Sequence, residues 1–447
     1  MSQAAATRTW RPLPGIDAGP WWRGLTVASL LVGYAGYYVC RSNLSVAAPL
    51  IAADPSIRGL STVGVGAIAS AGVLAYAAGK PLTGIGGDIL GGRRMFLAGM
   101  WGAVAATLAF GAGGGALALG AAWVANRFIQ STGWGALTKL VAQWFEPERH
   151  GRVIAVLSLS YLFGDAAARL ALGAMLDAGA GWRALFAASA AILAVIAVGV
   201  GVILRERPAD RGLPAPAASP HTVYGDAVAA ADVSASALVR PLLASPSFWL
   251  VCALSCGLTL VREAFNIWTP TFLSVTYAMP PGEAARWSAL FPFMGGVSVV
   301  AVGVVSDHLG AGRRMQLAAP LVLLAGLLAF AASSGIVMHD VRLGLAVVGA
   351  IALFLIGPYS LLAGAIALEL GGTRGASTAA GLIDTAGYLG ALLSGVAIGA
   401  AAEAQGWHVS LRWLGAIMIG AAVVAAGLAW TDARRLAAAD RSEGPAA

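Results

Sequence analysis

Charge is scarce in this chain. Only 11% of its 447 residues are Asp, Glu, Lys or Arg, against 58% apolar residues and a mean hydropathy of +0.78. A soluble domain carries about a quarter charged residues, so the composition excludes a soluble core and places the chain among polytopic membrane proteins. Cysteine is nearly absent as well: Cys40, Cys252 and Cys256 lie in apolar segments without His or acidic neighbours at ligand spacing. That excludes a disulfide framework and gives no metal site, and no cofactor is expected. The few polar groups inside apolar segments show no nucleophile and base at workable spacing, so an enzyme is not expected. The net charge of +7 is spread through short loops and never forms a basic run, which argues against nucleic acid. Residues 1–20 lack the compact apolar core and small-residue cleavage site of a signal peptide and read as an uncleaved tail.

What is present is a series of apolar segments, each of roughly 20 residues or more, the length that spans a bilayer. Six run near 24–53, 61–83, 95–112, 115–145, 152–176 and 183–204, and six more near 248–278, 285–306, 315–336, 342–368, 376–402 and 409–430. The expected organisation is a tail (1–20), a six-helix bundle (21–204), a Pro-bearing polar linker (205–246), a second six-helix bundle (247–431) and a tail (432–447). Of the 28 Lys and Arg residues, 17 fall on the side of the termini and the linker and five on the other, so the positive-inside rule puts both termini and the linker in the cytoplasm. The remaining six, Arg41, Lys80, Arg127, Lys139, Arg169 and Arg262, sit within apolar segments.

Arg41 is the most informative of these. A guanidinium at membrane depth costs several kcal/mol or more, so by default it faces a polar cavity with an anion to meet. On a helix Tyr34, Tyr38 and Arg41 fall at i, i+4 and i+7 and share one face. The pattern also returns. Arg41 precedes Pro49 by eight residues and Arg262 precedes Pro270 by eight, an offset of 262 − 41 = 221. The cluster Gly84, Asp88, Arg93, Arg94 returns as Gly303, Asp307, Arg313, Arg314, an offset of 303 − 84 = 219. Two unrelated features shifted by nearly the same distance imply two similar halves related by a pseudo-twofold along the membrane normal.

Twelve spans with this Gly-acid-Arg loop in each half resemble the major facilitator superfamily. The resemblance implies that the glycines let helices approach closely while Asp88 and Asp307 meet arginines and helix ends, latching one face. The loops depart from the usual pattern at Ile89 and His308, where a basic residue is common. A closer resemblance, to the organophosphate:phosphate antiporter family, runs over the whole chain. It is carried by Gly33-Tyr34-x-x-Tyr37-Tyr38-x-x-Arg41-x-Asn43, Gln130-x-x-Gly133-Trp134, Arg207-Pro208-x-x-x-Gly212-Leu213-Pro214, Arg262-x7-Pro270 and Gly387-Tyr388-Leu389-Gly390.

Equivalent arginines, one per half, are expected to meet in a central cavity, where the rigid fork of a guanidinium suits phosphate oxygens. Two such cations about 10 Å apart repel by roughly 1.7 kcal/mol at an effective dielectric of about 20, and a bound phosphate reverses that sign. The resemblance places Tyr76 and Lys80 in the same cavity, and Tyr34, Tyr38 and Tyr388 are expected to line it. Arg127 is read as structural or gating, and Lys139 as reaching the surface. Asp165 stands mid-span where the family carries a histidine, with Arg169 one turn on. It either pairs with Arg169 or faces the cavity and changes ligand choice or proton coupling. The implied activity is exchange of an organic phosphate, glycerol-3-phosphate or sugar-phosphate like or a phosphonate, for inorganic phosphate across the inner membrane, by a monomer. The rivals are a proton-coupled organic-anion symporter and a sugar-phosphate sensor.

Overall fold

The computed structural model describes residues 19–442 except 56, 58, 59, 61, 218–221, 225–233 and 311. The tail expected at 1–20, with Arg8 and Arg11, therefore lies almost wholly outside the described residues. Among those described, the chain is helical throughout, without strands. Twelve helical passes follow the two-half arrangement. The first half holds α1 (Gly19–Ala53), α2 (Thr62–Leu90), α3 (Gly92–Ala112), α4 (Ala116–Gln130 running on as Thr132–Trp144), α5 (His150–Asp177) and α6 (Trp182–Ile203). After a linker containing the short helix Ala235–Ala244, the second half holds α7 (Pro246–Tyr277), α8 (Leu290–Leu309), α9 (Arg314–Ala332), α10 (from Val341–Leu361 through the π-turn Leu362–Ile366), α11 (376–405) and α12 (Trp407–Ser442). α10 and α11 form one continuous helical run in hydrogen bonding, but Gly372 (φ +52°) and Gly375 leave helical geometry and separate them. Nine stretches among the described residues are each long and apolar enough to span, one being the 65-residue run Val341–Gln405 that holds both α10 and α11. The other two passes are α1, with Arg41-Ser42-Asn43 in its middle, and α4, interrupted at Ser131.

Large apolar side chains such as Leu170, Val195, Val202, Phe293 and Val423 face outward. In water they would be a liability; on a spanning helix they meet lipid. Inside, the halves are fastened at the arginine-rich end by two matching contacts. In the first, Asp88 at the end of α2 accepts hydrogen bonds from the Thr378 backbone N–H and hydroxyl at 2.7 Å, and lies 2.8 Å from Lys139 of α4. In the second, Asp307 at the end of α8 accepts from the backbone N–H of Gly151 (2.7 Å) and Arg152 (2.9 Å), and from the Arg152 and Arg314 guanidinium groups. Each carboxylate thus caps the first turn of a helix in the other half, α11 and α5 respectively, where orphan N–H groups and the positive dipole end favour an anion.

The glycines of both motifs make these seams possible. A Cβ on Gly84 would stand 2.8 Å from the Ser377 carbonyl oxygen, and one on Gly303 would stand 2.8 Å from that of Gly151. The arginines divide differently from expectation. Only Arg314 joins a motif acid, bonding Asp307, Glu369 (2.5 Å) and the Pro147 carbonyl while fully buried. Arg93 instead donates to the carbonyls of Leu204 and Gly201 at the end of α6, where a cation complements the dipole. Arg94 and Arg313 are exposed. Lys139, expected to reach the surface, is buried against Asp88 and the carbonyls of Thr373 and Arg374, because its three partners come from the seam itself.

Gly84→Val should wedge α2 from α11 at a cost of about 1–3 kcal/mol, the usual penalty of overpacking. Spin-label distances between α2 and α11 should lengthen relative to the wild type; unchanged distances would mean that the seam does not depend on this close approach.

Candidate functional site

Midway along the helices, beneath the fastened end, lies a small cavity of about 80 Å³ whose walls come from both halves. α1 supplies Tyr34, Tyr38 and Arg41; α2 supplies Tyr76 and Lys80; α7 supplies Arg262; α11 supplies Asp384 and Tyr388. Seven of the eight expected site residues meet here. Asp165 is not among the lining residues.

Arg41 is held by its neighbours without being neutralised. Its Nε donates to Gln130 Oε1 (3.1 Å) and its Nη1 to the Tyr38 hydroxyl (3.0 Å), while the Tyr38 and Tyr76 rings lie 4.5 and 4.6 Å from its charge centre. Cation–π contacts of this kind are worth about 0.5–2 kcal/mol each and leave the N–H groups free to bond a ligand. Nη2 is buried without a hydrogen-bond partner. Gln130 is itself fixed by Asn126 (2.6 Å) and by the Cys40 carbonyl, so a polar row on α4 sets the direction of the guanidinium. Sequence reading took Gln130 as a family marker; its spacing of four from Asn126 on one helix face was the available sign of a positioning role.

Arg262 pairs with Glu263 through Nη2 and lies 4.6 Å from the Tyr359 ring centre, and its Nε is buried without a partner. The acid engages one edge of the guanidinium only. Lys80, buried, makes a 2.6 Å ion pair with Asp384 from the opposite half. This pair was missed as a pair because its members are 304 positions apart, and only the packing of α2 on α11 brings them together. Tyr161 and Tyr359 also line the cavity, bringing to six the tyrosines there out of nine in the chain. Trp134 crosses the halves, donating to the Ala363 carbonyl at 2.8 Å. That carbonyl sits in the π-turn, a local irregularity of a type found often at functional sites.

Asp165 bonds Ser42 and takes a 2.8 Å hydrogen bond from Arg169 Nε, and both partners of this ion pair are partly exposed. The structure thus gives the carboxylate a partner on its own helix. A half-exposed pair of this kind contributes about 1 kcal/mol at most. The three cysteines are free, and no His, Cys, Asp or Glu cluster of metal-binding size occurs among the described residues.

The sequence profile of the Major Facilitator Superfamily matches residues 30–395. The chain belongs to that superfamily. It is 26% identical over 407 residues to a probable hexose phosphate transport protein of Chlamydia pneumoniae, covering 87% of each chain. It is likewise 26% identical over 423 residues to the membrane sensor protein UhpC of Salmonella typhimurium, covering 91% of this chain and 90% of the relative. Among solved structures, the human organic anion transporter MFSD10 superposes with a TM-score of 0.68, covering 90% of this chain and 99% of that one at 12% identity, which shows a shared fold. The relatives agree with the motif-level resemblance to the organophosphate:phosphate antiporter family. The chain is a multi-pass membrane protein of this superfamily.

Asp384→Asn should strand the Lys80 ammonium in a buried site and lower stability by about 3–5 kcal/mol. Adding Lys80→Met should restore thermal stability in detergent without restoring function. A stable single variant would show that Lys80 is hydrated rather than dependent on Asp384.

Proposed function

We propose that this protein is a secondary transporter of the bacterial plasma membrane that moves an organic phosphate in exchange for inorganic phosphate by alternating access, with the arginine-rich end and both termini in the cytoplasm. The observation that carries the reading is the convergence of Arg41 and Arg262, one from each half, on a single cavity, each with a buried guanidinium nitrogen lacking a partner. A phosphate oxygen supplies what both lack. Charge-assisted bonds of about 1.5–3 kcal/mol each then draw the halves together around the ligand. An empty cavity leaves these two guanidinium nitrogens unbonded and is strained on reorientation; a loaded one is not. Exchange then needs no separate coupling ion.

Lys80 deepens the reading. On arrival of a dianion it can turn from Asp384 to the ligand, which breaks one link between the halves as another forms. The same pair supports a second reading, proton-coupled uptake of an organic anion, in which Asp384 takes up a proton when Lys80 leaves it. The relative named as a sensor supports a third, in which ligand binds and little is exchanged.

In proteoliposomes, Arg41→Lys and Arg262→Lys should each reduce phosphate exchange by at least about 10-fold with the protein still in the membrane, because an ammonium cannot reproduce the bidentate fork. Near-normal exchange in either variant would place the phosphate elsewhere. Counterflow of inorganic phosphate from preloaded vesicles without a pH gradient favours exchange, a strict need for a pH gradient favours the symporter, and binding without flux favours the sensor.

A further inference from the structure

At the end opposite the fastened seam a second, much larger cavity of about 740 Å³ opens between α1, α2, α4 and α5. Its charged lining is Arg41, Arg127 and Arg169, and no carboxylate lines it among the described residues. Small apolar residues such as Ala48, Ala52 and Ala69 form most of the remaining wall.

Three buried donors on residues lining this space have no partner: Arg41 Nη2, Arg127 Nη1 and Trp123 Nε1. Arg127 and Trp123 are only 8% and 5% exposed, and they stand four apart on one face of α4. Unmade hydrogen bonds at such depth each cost about 1–3 kcal/mol, and all three belong to side chains at the wall of one cavity whose charged lining is wholly cationic among the described residues. The room for them is built in. A Cβ on Gly72 of α2 would collide with the Trp123 indole and lie 2.8 Å from Arg127 Cγ. Arg127 has the Tyr76 ring 4.7 Å away but no carboxylate in salt-bridge contact among the described residues. Arg169 is the member paired with a carboxylate, with Nε on Asp165 and Nη1 on the Ser45 hydroxyl (3.2 Å).

We propose that this vestibule is a second, separate anion site, in which Trp123, Arg127 and Arg169 capture a phosphate group before Arg41, which lines both cavities, passes it to the central one. The identity of the anion rests on the transport reading above; the vestibule itself rests on its donors. Three cations in an open, low-dielectric funnel also raise the local anion concentration. Asp165 gains a role here: by holding Arg169 it moderates the charge of the vestibule, so that a captured anion can leave again.

The test reconstitutes the full chain in orientation-sorted proteoliposomes and measures KM for inorganic phosphate from each face. Arg127→Gln, and Trp123→Phe, which stays aromatic but loses the pyrrole portion of the indole with its N–H, should each raise the KM on the vestibule face by about 10-fold, the loss of one charge-assisted bond. The KM on the other face should not move. Asp165→Asn, which releases Arg169, should lower the vestibule-face KM. Equal rises on both faces, or no rise in either α4 variant, would overturn the proposal. Vesicles with and without phosphatidylglycerol separate the sources of the phosphate group: a wild-type KM that rises with anionic lipid, and ceases to do so in Arg127→Gln, assigns the site to a lipid headgroup, and indifference to lipid assigns it to a soluble anion. If the wild type exchanges no phosphate at all, the transport reading fails first. Equilibrium binding of inorganic phosphate to Arg262→Gln, whose vestibule is intact, then decides this site alone: binding lost on adding Arg127→Gln supports it, and binding indifferent to Arg127 or absent altogether sinks it.

Discussion

A guanidinium cannot shed its charge, and the interior of a membrane protein cannot leave charge unanswered. Most of the polar architecture here follows from that constraint. Arg314 is answered by Asp307 and Glu369, Lys139 by Asp88 and Lys80 by Asp384. Arg41 and Arg127 are answered mainly by aromatic faces, which lower the cost of burial while leaving N–H groups unused. Charges that are paired hold the helices together; charges that are half-answered keep N–H groups unbonded.

The two seams at the arginine-rich end show how a pseudo-twofold chain joins its halves with few residues. Each motif aspartate reaches across to the first turn of a helix in the other half, where backbone N–H groups supply half of its hydrogen-bond and ion-pair contacts and side chains the rest. Glycines set the approach of α2 to α11 and of α8 to α5. The same α2–α11 contact that forms one seam also carries Lys80 to Asp384, so one helix pair serves both the cavity and the seam.

Much of this was legible in the sequence where a pattern is local or repeats. The offset shared by Arg41, Arg262 and the two glycine-acid motifs exposed the two halves, and the Tyr34, Tyr38, Arg41 spacing marked one cavity wall. Contacts set by tertiary packing were not legible. Nothing local links Lys80 to Asp384, and nothing marks Arg93 as a cap for α6 rather than a partner of Asp88. Arg127 was read as structural or gating from its place in α4; only the cavity beside it shows that, among the described residues, it has no acid in contact. Asp165, set apart by a family comparison, was the reverse case: its partner was four residues away.

A structure determined with inorganic phosphate present tests the central claim most directly. The account predicts one anion within hydrogen-bond distance of both Arg41 and Arg262, with the orphan nitrogens of each now occupied. An anion held by only one half, or a central cavity still empty at saturating phosphate, would contradict it.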